Sequence, residues 1–194
     1  MDRMSHELHI TGDVDADALL SSDPLALLVG MLLDQQVPME TAFAGPAKLK
    51  SRLGSFDAAT IADYEPEAFA EAMRQSPAVH RFPGSMAGRV QALCAAVVSE
   101  WGGSAERIWT EGAPDGTEIL RRLTALPGFG EQKAKIFLAL LGKRRGLTAP
   151  GWETAAGAYG EAGSYRSVAD IVDPESLLKV RATKQAAKAA AKKA

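Results

Sequence analysis

The sequence predicts an all-α fold, and three observations carry that expectation. Apolar residues recur at helical spacing along most of the chain, capping and breaking residues punctuate those runs, and strand alternation is scarce. Glu7 to Ile10 is the one stretch that reads as a strand. Ser22-Asp23-Pro24 offers a capping residue and a first-turn proline ahead of Leu25 to Leu33, a run apolar on nearly every face and so expected in the middle of the fold. Gln35-Gln36 close it. Pro38 opens Met39 to Leu53, which Gly45-Pro46 should kink or split. Short helices follow at Ala58 to Asp63 and Pro66 to Arg74, then a proline-bearing loop, Gln75 to Gly84, and a long helix, Ser85 to Trp101. Thr117 to Ala125 and Glu131 to Gly142 form the next pair, the second with Ala134, Phe137, Leu138 and Leu141 at core spacing and Lys143-Arg144-Arg145 at its dipole-matched end. Beyond the loop Gly146 to Gly151, helices are expected at Trp152 to Tyr159 and Pro174 to Arg181. The organisation is an N-terminal segment (1–21), a helical domain (22–182) and a basic Ala/Lys-rich tail (183–194). From Lys184 to Ala194 helix propensity is high but no apolar face exists, which predicts a frayed helix or a disordered arm, read either as a non-specific phosphate-binding arm or as a solubilising end.

Composition narrows the function. A chain of 194 residues with 46% hydrophobic content can bury a core without staples. Its one cysteine, Cys94, lies in an apolar helical run, so a disulfide within the chain and a cysteine-ligated zinc or iron–sulfur cluster are excluded, and the thiol reads as buried packing. No run reaches the roughly 18 apolar residues of a membrane span, and the polar, acidic N-terminus resembles no targeting segment; the expectation is a cytoplasmic, nucleoid-associated protein, monomeric and without a membrane partner. His6 and His9 have no metal-ligand company, and no metal site is expected. Net charge is −2, yet six of the 22 positive residues fall between Lys179 and Ala194, a stretch without an acid. A second concentration holds Arg121, Arg122, Lys133, Lys135, Lys143, Arg144 and Arg145 against Glu131 alone, where a polyanion could dock.

Between the paired helices stands Leu126-Pro127-Gly128-Phe129-Gly130. Proline stops the first helix, the glycines allow a tight turn and close backbone approach, and Phe129 can turn inward to pin the turn. Gly130 opens the second helix, whose free N–H groups and positive dipole end suit a phosphate held without sequence preference. Ala134 lets the helices pack closely. The plain alternative is an ordinary Pro-Gly turn.

These residues resemble the helix-hairpin-helix of the HhH-GPD superfamily of base-excision DNA glycosylases, the AlkA/endonuclease III-like group and within it a small bacterial branch. Leu32-Leu33-Asp34-Gln35-Gln36-Val37 is similar to a signature on an early helix of that group, and His80-Arg81-Phe82-Pro83-Gly84 to Leu93 falls in the right order between the two. The resemblance covers roughly Leu25 to Ala169. It implies damaged double-stranded DNA as partner, the hairpin with Gln132, Lys133, Lys143 and Arg144 on the backbone, Gln35 and Gln36 near the gap left by a flipped base, and no cofactor beyond a potassium or sodium ion on hairpin carbonyls. Two positions depart from the pattern. The lysine of bifunctional members is replaced by Gln132, with Lys133 turned roughly 100° away on a helix, so a lyase step is not expected. The family aspartate is replaced by Glu153 in Trp152-Glu153-Thr154, which alternatively begins a helix as a first-turn acid.

The implied chemistry is hydrolysis of an N-glycosidic bond after base flipping, with a carboxylate stabilising an oxocarbenium-like sugar and orienting water. Glu153 is the first candidate and Asp34 the second, Asp34 also reading as a cap or ion-pair partner. His80 and Arg81 are loop or site residues; Trp109, Trp152 and Tyr159 are stacking or core residues. A catalytically inert DNA-binding or damage-sensing protein is the first alternative, and a helical protein-interaction domain the second.

Overall fold

The computed structural model describes residues 7–194; residues 1–6, His6 among them, lie outside the described part. The described chain is helical and contains no strand. Glu7 to Ile10 is an extended lead-in rather than a strand: no neighbouring strand offers a ladder, so the N–H groups of Ile10 and Thr11 donate to the Asp17 carboxylate instead. Leu8 and Ile10 enter the core.

That carboxylate sits on α1 (Val14–Ser22), a helix the sequence pattern did not reveal, started by the Asp13 side chain accepting from the Ala16 N–H. The boundary expected at 21/22 therefore falls inside α1. Next, α2 (Pro24–Leu33) starts at Asp23, whose carboxylate accepts from the Leu25 N–H, and every residue from Leu25 to Leu33 is buried. Then α3 (Met39–Leu53) runs unbroken through Pro46. The proline forfeits one ladder bond, but it is buried, and a Cβ on the neighbouring Gly45 would meet Leu33 Cδ1 at 2.6 Å. Packing against α2 keeps the helix from splitting there.

The helices α4 (Ala58–Asp63) and α5 (Pro66–Arg74) lie against α6 (Pro83–Trp101), which also touches α2. A second group follows: α7 (Arg107–Thr110), α8 (Gly116–Thr124), α9 (Glu131–Arg144) and α10 (Trp152–Ala156), with 3-10 turns at Gly157–Gly160 and Val168–Asp170 lying on α9. Gly142 is inside α9, not at its end; a Cβ there would meet the Trp152 ring at 2.4 Å, so its absence seats the indole. Trp109 and Phe129 flank Phe137 edge-on in the same core. The two groups meet where α2 touches α9.

The last helix, α11 (Pro174–Lys193), passes straight through the expected boundary at 182/183. Asp173 and Ser176 form a reciprocal cap at its start, and Val180 is fully buried. Nucleating a helix is the costly step and extending it is easy. With the first turns fixed, the Ala/Lys-rich residues continue as helix to Lys193 instead of forming a disordered arm.

Candidate nucleic-acid interface and carboxylates

The hairpin between α8 and α9 is built by local bonds. The Leu126 N–H donates to the Leu123 carbonyl and the Phe129 N–H to that of Leu126, both at 3.1 Å. Phe129 is buried against Phe137, its ring perpendicular at 6.2 Å. Ala134 is fully buried. Pro127, Gly128, Gly130, Glu131 and Gln132 are exposed, so the turn is pinned from beneath and open above.

Its two glycines differ. Gly128 has φ +81°, a backbone conformation that favours glycine, and a Cβ there would press on Leu32 Cδ1 of α2 at 2.4 Å. Gly130 has φ −81° and ψ 176°, a conformation open to any residue, and a Cβ there would meet nothing within 4 Å. It caps α9 without a side-chain bond. Nothing inside the fold needs glycine at 130.

Through Leu32 the hairpin abuts the end of α2. Lys133 donates from Nζ to the Leu32 carbonyl at 3.0 Å, and burial lowers its pKa, with Asp34 partly restoring it. Asp34 follows α2, its side chain only 7% exposed. Burial raises its carboxyl above the usual range; Lys184 and Lys133 pull it down and Glu40 pushes it up. Lys184 Nζ lies 3.6 Å from Asp34 Oδ2, and Arg181 pairs with Glu40, so α11 is fastened across the α2–α3 turn.

Gln35 is held on three sides. Its amide donates to the Leu32 carbonyl at 3.0 Å, its amide oxygen accepts from Arg89 at 3.1 Å, and its backbone carbonyl accepts from His80 Nε2 at 2.9 Å. The Phe82 N–H donates to His80 Nδ1, which fixes the tautomer with the proton on Nε2. His80 is a loop residue, between α5 and α6, and it is buried as an anchor of this turn. Gln36 stands exposed with φ +60°, a conformation rare for a residue with a side chain.

Gln132 donates to the Tyr159 hydroxyl at 2.9 Å, tying the start of α9 to the 3-10 turn at Gly157–Gly160. Gly160 packs on the Glu153 backbone: a Cβ there would lie 2.4 Å from its carbonyl oxygen. Glu153 is exposed on the first turn of α10. Gly130, Gln132, Tyr159 and Glu153 thus form one linked series, while Asp34, Gln35 and Gln36 lie on the Leu32 side of the hairpin.

The basic concentration from Arg121 to Arg145 is not a free patch. Arg121 and Arg122 both bind Glu118, lowering its carboxyl to about 2, and Lys135 binds Glu131. Arg145 donates to the Ser21 carbonyl. Lys143, expected on DNA, forms an ion pair with Asp170 at 2.6 Å, the side chains 9% and 3% exposed. Arg144, expected beside it, donates to the Ala169 carbonyl at 2.9 Å. Both hold the 161–170 loop to α9, because the end of a buried helix offers cations nearer partners than solvent does. Lys133 likewise points to α2. The residues that sequence reasoning passed over here are Glu40, Arg89, Arg181 and Lys184; only the charge run of the tail gave any signal. Cys94 is buried with its thiol pushed up to about 12, and is unsuited to nucleophilic chemistry. Among the described residues no three His, Cys, Asp or Glu side chains gather as a metal site, and no single helix is long and apolar enough to cross a membrane.

An all-helical protein with a backbone-lined hairpin, open to solvent and set against the polar end of a buried helix, is a protein of the helix-hairpin-helix class. The family model described as HhH-GPD superfamily base excision DNA repair protein matches residues 29–193, and the chain belongs to that superfamily. No curated protein matches it.

Proposed function

We propose that the protein is a monofunctional DNA glycosylase that binds damaged duplex DNA as a monomer and hydrolyses the N-glycosidic bond of an extruded base without a lyase step. Gly130 carries the DNA-binding half of this reading: its missing side chain answers no demand of the fold, but it leaves the N–H groups at the start of α9 open to a phosphate approaching from outside. Gln36, exposed at positive φ on a turn held by His80 and Arg89, is the candidate polar side chain for the gap left by the flipped nucleotide, with Gln35 beside it. Glu153, whose backbone packs against Gly160 next to the Tyr159 that Gln132 bonds, is the first carboxylate to set against the sugar cation; Asp34 is the second. Gln132 cannot form a Schiff base, and Lys133 has its amine on the Leu32 carbonyl. No step requires a cofactor.

Asp34 lying between Lys184 and Lys133 favours one other reading, an inert damage binder whose carboxylate serves only to hold α11. Single-turnover excision from duplexes each carrying one lesion, followed by alkaline cleavage of abasic sites, separates them. The expected result is excision of at least one lesion, lowered by orders of magnitude in Glu153→Gln with DNA affinity equal or slightly tighter, and no adduct on borohydride trapping. A wild-type rate in Glu153→Gln moves the role to Asp34. No excision across the panel leaves the inert binder.

A further inference from the structure

The fastening of α11 across the α2–α3 turn leaves half of that helix outside the body. Residues 185–194 are exposed throughout, and no acid follows Glu175. Helical spacing decides which face the lysines take. Val180 is buried, and four residues on Lys184 meets Asp34; Lys188 and Lys192 follow at the same interval. Four residues overshoot one turn by about 40°, so the face that enters the core at Val180 winds slowly into a stripe of lysines once the helix has left the protein. Lys184 is near enough to Lys133 to depress its pKa, and Lys133 reaches the Leu32 carbonyl beneath the hairpin. The stripe therefore starts at the edge where hairpin and α2 meet.

We propose that the projecting half of α11 is a second DNA-backbone contact, with Lys188 and Lys192 lying on phosphates of the duplex that the hairpin grips. The occupant is nucleic-acid backbone for three reasons found in the helix itself. The segment has no apolar side chain larger than alanine, so it has nothing to bury against a protein groove or in a bilayer. Its charge is of one sign. It continues from the interface already described, while Arg181–Glu40 and Lys184–Asp34 keep its base from swinging freely. An anchored helix loses less freedom on docking than a disordered arm would, so each lysine contributes more of its gross attraction.

This rests on the duplex-binding reading of the hairpin, and the test separates the two. Fluorescence anisotropy with a labelled undamaged duplex gives the slope of log affinity against log salt between about 50 and 200 mM. Four full-length proteins are compared: wild type, Lys188→Gln/Lys192→Gln, Gly130→Asp, and a control of equal charge loss, Lys50→Gln/Arg74→Gln on α3 and α5. Each phosphate contact contributes about 0.9 to the slope, so the arm pair is expected to flatten it by about 1.8 and the control pair to leave it unchanged. All four substituted lysine and arginine positions are exposed, and matching thermal melts establish that the fold is intact. An unchanged slope in the arm pair makes α11 a solubilising end and overturns the proposal, as does equal flattening by both pairs, which reports bulk charge. If Gly130→Asp abolishes binding while the arm pair leaves the slope unchanged, the hairpin reading stands and the arm falls. If wild type does not bind the duplex, both fall.

Discussion

Gly130→Asp should separate stability from function at one backbone position. Aspartate is a better helix N-cap than glycine by a few tenths of a kcal/mol, its φ of −81° suits any side chain, and open space awaits the Cβ. Removing a cap-free start should therefore leave the melting temperature equal or slightly higher, while a carboxylate where a phosphate would sit should abolish duplex binding. Undiminished affinity in a well-folded Gly130→Asp protein would remove the hairpin from the interface. At this scale the sequence was informative wherever the residue type itself limits the backbone: Pro127, Gly128 and Phe129 announced a pinned turn, and the structure has one. It was uninformative where a role depends on a distant partner. His80 read correctly as a loop residue, but not as a buried anchor, because Gln35, whose carbonyl takes its Nε2 proton, lies 45 positions away.

The end of α9 shows the same limit in an element. Lys143-Arg144-Arg145 are cations in the last turn, and counting charges along the chain made them a docking patch; folding gives Lys143 to Asp170 and Arg144 to the Ala169 carbonyl. Removing one partner of a buried pair strands the other, at about 3–5 kcal/mol. Lys143→Ala is expected to lose stability of that order in chemical denaturation, with the salt slope of DNA binding unchanged. A flattened slope at unaltered stability would return Lys143 to the interface. Some elements were legible to the residue: Ala58–Asp63 and Pro66–Arg74 have the bounds expected, and the structure adds Asp57 and Glu65 as their caps. The helix Val14–Ser22 was not, since its apolar residues are too few to make a stripe and its stability comes from Asp13, Asp17 and the burial of Leu20. The break that Pro46 allowed did not occur, because propensity is local and the packing of α3 on α2 is not.

Across the whole molecule, Arg181–Glu40 and Lys184–Asp34 join the last helix to the second and third, bringing nearly opposite ends of the chain together. Burial raises the Asp34 pKa, and the sign of its linkage follows. Below the ordinary value of 3.8 the folded and unfolded chains both hold the proton, and the group costs nothing. As pH rises past 3.8 the unfolded chain ionises first, so stability is lost up to the raised folded value and stays lost at neutral pH. Asp34→Asn should thus melt above wild type at pH 7, with the margin closing as pH falls below 3.8; a lower melting temperature at neutral pH would mean that Lys184 and Lys133 more than offset burial. The projecting half of α11 has one more consequence. Every one of the 24 acidic residues precedes Lys179, and the chain ends in a lone positive rod. Such a molecule is an electric dipole, and near a polyanion it experiences torque as well as attraction. It should turn its lysine end toward DNA before touching it, so that a larger share of collisions begins in the competent orientation, an advantage that fades once added salt shrinks the Debye length to less than the length of the rod.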